Sequence, residues 1–206
     1  LKERIVAIPG VHRVETRVVA AVNVEIADFP DPVTGSIFSI PDDGDALLHR
    51  LYLRKGRMIE AGRENEVVVS EAFANAHNLL PGDTLVVVIN GKRKRFEIVG
   101  LALSPEHIYQ IRPGALFPDF ERYAILWMGH TALSTAYDLE SAFNDVVLSL
   151  SVGTRQEDVI DRLDVLLEPY GGLGAYGRDD QLSHRYLSEE FRQLANMAKI
   201  FPTVFL

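Results

Sequence analysis

Asn90-Gly91 sits between two β-rich runs, Thr84 to Ile89 and Lys92 to Val99, and constrains this chain more than any other dipeptide. Asn and Gly both tolerate the left-handed backbone that a two-residue type I′ turn requires. The flanking runs are therefore expected to fold back on each other as an antiparallel hairpin. Just upstream, Val67 to Val69 is a short β run, Ser70 to Asn78 a helical turn or two, and Leu80-Pro-Gly-Asp83 a stop and turn. The centre of the chain is mostly β and reads as a small separate subdomain.

The flanks alternate strand and helix. Val22 to Ile26 has the apolar–polar period of a half-buried strand, and Ser36 to Ile40 reads as a second strand. A short helix is expected through Leu47, Leu48 and Leu51. Beyond Pro118, Tyr123 to Met128 reads as a buried strand and Thr131 to Leu139 as a short helix. Asp145 to Val152 places Val146, Leu148, Leu150 and Val152 on one face. Thr154-Arg-Gln-Glu157 has the spacing of a capping box. It is expected to open a helix carrying Val159, Ile160, Leu163, Leu166 and Leu167 inward until Pro169 ends it. An inserted β block between two α/β segments is an α+β fold.

A net charge of −8 argues against nucleic acid as a partner, because phosphate binding needs a basic face. The basic cluster Lys92 to Arg95 is too small to reverse that and reads as a strand edge protected by charge. Contact with anionic lipid headgroups is its functional alternative. Cysteine is absent, so no disulfide, thiolate metal site or cysteine nucleophile is expected.

Gly172 to Gly177 matches G-x-G-x-x-G, yet the dinucleotide fingerprint needs a preceding buried strand, and here a helix and Pro169 come first. A flexible glycine turn is the expectation. Asp45 and His49 are four apart, as metal ligands on one helix face can be, but no second ligand pair stands at a recognisable spacing. No nucleophile, base and orienting group can be nominated together, so no catalytic, cofactor or metal residues are expected. The segment Ser104 to Asp119 is rich in Pro and Gly yet apolar. It either covers the β block or presents Ile108, Tyr109, Ile111, Arg112 and Phe117 to a partner.

Between Asp179 and Arg192 charges fall on a helix-spaced pattern, and then Lys199 is the last charge before Ile200, Phe201, Val204, Phe205 and Leu206. A membrane-spanning helix needs ~20 mostly apolar residues. The run 193–206 is expected to be the start of one, and both ends of the chain read as cut from a longer protein. The alternative is a C-terminal helix docked into its own core.

With those residues laid out, the chain resembles the extracytoplasmic core domain of FtsX/MacB-like ABC transporter permeases. The resemblance runs through Ile8-Pro-Gly-Val11 with Val14, Gly56-Arg57, Glu66 to Glu71 with Ala72 and Ala76, and Leu80-Pro-Gly-Asp83. It continues through Phe96 to Gly100, Ser104-Pro-Glu106 with Tyr109, and Leu126-Trp-Met128. Each motif is loose, and their order across nearly the whole chain carries the likeness. It implies a porter-like α/β subdomain formed by residues 1–55 and 119–192, with a mostly β subdomain, 56–118, inserted between them. It also implies a non-catalytic domain on the extracytoplasmic or periplasmic side of the cell (inner) membrane, without cofactor. The domain would couple ATP-driven motion of transmembrane helices to export or extraction of a lipid, lipoprotein, peptide or drug, or to an extracytoplasmic partner. Expected partners are the permease's own transmembrane helices, a second permease half or protomer, and a cytoplasmic ABC ATPase subunit. An extracytoplasmic protein or lipid-like substrate completes the list. A soluble ligand-binding or enzymatic domain, with a site assembled from distant residues, is the alternative.

Overall fold

The computed structural model describes residues 1–205. Side chains from Lys199 onward lie outside the described residues, and with them the apolar side chains on which the expected membrane helix at 193–206 rests. Among the described residues, no helix is long and apolar enough to cross a membrane. The fold is α+β.

A seven-stranded mixed sheet forms the larger body. Its strands are β2 (Val19–Glu25), β3 (Val33–Ile40), β4 (Tyr52–Gly56), β5 (Glu66–Ser70), β6 (Thr84–Ile89), β7 (Lys92–Leu103) and β8 (Tyr123–Gly129). They lie in the order β4-β7-β5-β8-β3-β2-β6, and β7 also pairs with β6. That last pairing closes six strands into a barrel and leaves β4 as a flap on the seventh position. The hairpin is where the sequence places it: Asn90 and Gly91 have φ of 46° and 71°, and β6 pairs with β7 from Ile89↔Lys92 to Thr84↔Glu97.

Two pairings are parallel, β3 with β8 and β5 with β7. They bury β5 and β8 on both faces, which is why Tyr123 to Met128 reads as an unbroken apolar run. Ala124, Leu126 and Met128 face the barrel interior with Phe73, Phe96 and Leu133, whereas Tyr123, Ile125 and Trp127 pack outside with Phe38 and Ile59. Phe73 belongs to α2 (Glu71–Ala76) and Leu133 to α3 (His130–Ala136). In β7 the register slips between Ile98 and Gly100, so Phe96 and Ile98 point inward before the bulge and Leu101 after it.

The smaller body is built from α1 (Lys2–Val6), β1 (Val11–Arg17), β9 (Asp145–Leu150) and α4 (Gln156–Leu167). β1 and β9 pair antiparallel as a two-stranded sheet, and Ile5, Ile8, Val14, Val159 and Leu163 form its core. Asn144 stitches the crossing between the bodies: its Oδ1 accepts from the Val19 amide at 2.8 Å and its Nδ2 donates to the Val19 carbonyl at 2.7 Å. Last comes α5 (Leu182–Phe205).

The structure bears on four sequence expectations. Strands β2, β3 and β8 hydrogen-bond into the same sheet as β5 to β7, so strand pairing joins residues from both sides of the expected 55/56 and 118/119 boundaries. The buried cluster of the smaller body gives way to that of the barrel at Arg17–Val18 and near Asn144. Residues 42–51 form no helix, since Glu15 Oε2 takes the amides of Leu47 and Leu48 at 2.8 and 2.9 Å. Thr154 caps nothing: its hydroxyl donates to the Gly10 carbonyl at 3.4 Å and α4 begins at Gln156 without a side-chain cap. Val152 leaves the inward face of β9 and is fully exposed in the turn that follows.

Candidate functional site

The two bodies, the loop after β7 and the first turn of α5 converge on one residue, Glu106. Arg17 ends β1, and register turns its side chain away from α1 and α4 toward the barrel. Its Nη1 and Nη2 donate to the Glu106 carboxylate at 2.6 and 3.0 Å, and its Nε to Asp145 Oδ2 at 2.7 Å. The guanidinium also lies 5.4 Å from the centre of the Phe38 ring, an aromatic face that favours a cation. Arg17 is 6% exposed, and a charge so buried persists because each of its three nitrogens bonds to a carboxylate.

Glu106 is held from several sides. Its amide donates to Ser104 Oγ at 3.2 Å, which fixes the turn that aims the carboxylate inward. His49 Nδ1 stands 2.9 Å from Oε2 and His107 Nε2 stands 3.8 Å from the same oxygen. Burial alone would raise the carboxyl's proton affinity, but the hydrogen bonds from Arg17 and His49 outweigh it and hold Glu106 far below the ordinary carboxylate range. Burial likewise raises the cost of charging Arg17, and Glu106 and Asp145 together more than reverse that. His49 reaches the site from a left-handed backbone, φ 52°, a conformation that a side chain larger than glycine adopts at a cost of roughly 1–3 kcal/mol.

The base of α5 docks on the same loop. Gln181, immediately before the helix, donates through Nε2 to the Glu106 carbonyl, and its Oε1 accepts from the His184 amide at 3.3 Å. One side chain thus caps α5 and ties it to Glu106. Next to it, the Tyr109 amide donates to Ser183 Oγ at 3.0 Å, the Tyr109 hydroxyl donates to Glu190, and its ring lies 6.0 Å from that of Tyr186.

This arrangement is a fastener. The void between Glu15, Arg17, Phe38, His49, Glu106 and Trp127 is about 10 Å³, space for no more than one water. Arg17 and Glu106 join the smaller body to the loop after β7, and Gln181 and Ser183 join that loop to the base of α5.

Of the residues singled out in sequence, Tyr109 lies in this junction. Ile111 is half-buried beside it, while Ile108, Arg112 and Phe117 face solvent, Phe117 at 73% exposure. The segment therefore does both things that its composition allows: Gln110 and Tyr109 seat it, and its tip stays bare. Asp45 and His49 do not share a helix face; Asp45 pairs with Arg50 and His49 with Glu106. Among the described residues, no group of three or more His, Asp or Glu side chains is arranged to hold a metal. Residues 172–177 form an irregular segment, neither helix nor strand, in which Gly177 packs against Gln156. Arg17, Asp145 and Gln181 gave little sequence signal. The one clue is that Arg17 opens an otherwise uncharged run, Val18 to Val22.

No family's sequence model matches the chain, and no curated protein sequence matches it. Among solved structures, it is similar to the periplasmic region of MacB from Actinobacillus actinomycetemcomitans, at 14% identity, a TM-score of 0.47, and coverage of 80% of this chain and 72% of that one. It is also similar to the extracellular domain of the noncanonic ABC-type transporter YknZ from Gram-positive bacteria, at 13% identity and a TM-score of 0.49, over 84% of this chain and 83% of that one.

Proposed function

We propose that this chain is an extracytoplasmic domain of an FtsX/MacB-like ABC transporter permease and that it acts as a mechanical relay without catalytic chemistry of its own. The observation that carries the reading is the Glu106 node. Its carboxylate bonds to Arg17 of the smaller body and to His49 of the segment before β4, and its carbonyl accepts from Gln181 at the base of α5. Any tilt of α5 is then transmitted by Gln181 and Ser183 to residues 104–111, and from there into β7 and β1. The ordered motifs from Ile8 to Met128 support the family, and a smaller body separated from a closed barrel by two short crossings supports a relay of two parts.

In this reading residues 193–206 begin a membrane helix, ATP is hydrolysed by a separate cytoplasmic subunit, and the domain lies on the extracytoplasmic face of the cell membrane. The cargo is a lipid, lipoprotein, peptide or drug, or the output is passed to an extracytoplasmic partner, with Ile108, Tyr109, Ile111, Arg112 and Phe117 as the contact region. The test is to tag the natural gene product, extract membranes with detergent and identify co-purifying proteins. Membrane retention together with an ABC ATPase subunit is the expected result. A product in the aqueous fraction without an ATPase overturns the reading and leaves a soluble ligand-binding or enzymatic domain.

A further inference from the structure

His107 is the one imidazole of the Glu106 cluster whose ring nitrogen is buried without a hydrogen-bond partner. Nε2 is enclosed, 3.8 Å from Glu106 Oε2, and the ring lies 4.5 Å from that of Phe38. We propose that His107 makes residues 104–111 a proton-operated catch, closed over Phe38 and gripping the base of α5 while the imidazole is neutral, and opened when His107 takes up a proton. The proposal deepens the relay reading and rests on it for the consequence of opening.

The geometry explains why a second cation is not tolerated here. From β1, Arg17 already occupies both oxygens of Glu106. From the segment before β4, His49 takes Oε2 at 2.9 Å. From β9, Asp145 is spent on Arg17 Nε, and Tyr176 stands near enough to feel Glu106, Asp145 and Arg17. β3 contributes no charge, only the Phe38 ring that Arg17 also approaches and the neutral Ser39, and just before α5 stands the neutral Gln181. A proton on His107 Nε2 would meet no acceptor within hydrogen-bond reach while facing Arg17 and His49, and lifting the ring off Phe38 is what brings that nitrogen to solvent.

Burial holds the His107 imidazole at about 4, below its ordinary 6.5; Glu106 offsets part of this, and Arg17 and His49 add to it. A base whose proton affinity is depressed in the closed state favours that state above its ordinary pKa, and the preference is lost as pH falls toward the closed-state value. Between about pH 7.5 and about pH 4.5 the closing equilibrium therefore weakens roughly 50- to 100-fold.

Amide hydrogen exchange on the 206-residue chain, corrected for the intrinsic pH dependence, reads this directly. Protection of residues 104–111 and 182–190 is expected to fall by that factor while β5 and β8 keep theirs. Trp127, the sole tryptophan and part of the void wall, should change its fluorescence over the same range. His107→Phe keeps a ring against Phe38 without a titrating nitrogen and should remove the pH response; His107→Gln serves if the larger ring disturbs folding. The catch is overturned if wild-type protection of 104–111 changes less than a few-fold, if the barrel strands open with it, or if both variants respond as wild type does. The measurement uses the chain alone, so its failure is separate from a failure of the permease reading, which the membrane extraction decides.

Discussion

Arg17 and Glu106 lie 89 residues apart and are joined by two hydrogen bonds, 2.6 and 3.0 Å long. Their side chains are 8% and 15% exposed, so each keeps the other's charge from being stranded in a poorly solvated site. Removing one partner should be costly, and removing both much less so. Arg17→Met is expected to destabilise by about 3–5 kcal/mol, and Arg17→Met with Glu106→Met by clearly less than the sum of the two singles. Urea unfolding of the three variants gives the answer. Additive losses would mean that the pair is not a unit.

Another buried carboxylate makes stability depend on acid. Glu66 is 3% exposed and accepts from Arg57 Nη1 and Nη2 at 2.9 and 2.6 Å and from the Glu60 amide at 2.9 Å. The Arg57 bonds outweigh burial and lower its proton affinity below the ordinary 4.5. An unfolded chain then takes up the proton first. Its stabilisation is complete above the ordinary carboxylate pKa and is lost as pH falls through and below it. Thermal midpoints measured downward from about pH 6 should fall steeply at the acid end for wild type, and Glu66→Gln should start lower and fall less. An equally steep acid limb in Glu66→Gln would assign the dependence elsewhere.

Gly100 is required by an approach of backbone to backbone. A Cβ built there would lie 2.2 Å from the Arg57 carbonyl oxygen, and Gly56, its partner in the β4–β7 register, holds φ at 74°. Gly100→Ala must push β4 away, at a cost of about 1–3 kcal/mol. Arg57 is also the partner of Glu66, so the displacement should loosen that pair. Gly100→Ala combined with Glu66→Gln is expected to cost less than the two separately, as a double-mutant cycle will show.

Several strands and turns are legible in the sequence, because their signals are local. Asn90-Gly91 fixes a turn, Tyr123 to Met128 shows a strand buried on both faces, and Val159 and Leu163 show the inward stripe of α4. What could not be read is what distant residues decide. Leu47, Leu48 and Leu51 have a helical look, yet the amides of the first two belong to Glu15, more than 30 positions away. Thr154 has a capping neighbour in Glu157, yet packs on Gly10. The parallel pairs β3–β8 and β5–β7 join strands far apart in sequence and have no turn to announce them. The Glu106 node is the extreme case: His49, Glu106 and His107 were visible only as scattered side chains until the fold gathered them.

The bare tip of the loop after β7 separates packing from recognition. Leu116 and Phe117 are 76% and 73% exposed, whereas Tyr109 is fixed to Ser183 and Glu190. Leu116→Ser and Phe117→Ser remove apolar surface that the fold does not bury, so each should change stability by no more than about 0.5 kcal/mol. Ser183→Ala takes away the acceptor of the Tyr109 amide and should raise hydrogen exchange at residues 107–111, with a loss near 1 kcal/mol, that is, about one ordinary hydrogen bond. If the tip meets a partner, the two Ser variants lose activity in cells while their thermal midpoints stay with wild type. A midpoint several degrees lower for Phe117→Ser would instead place that ring in the packing of the domain.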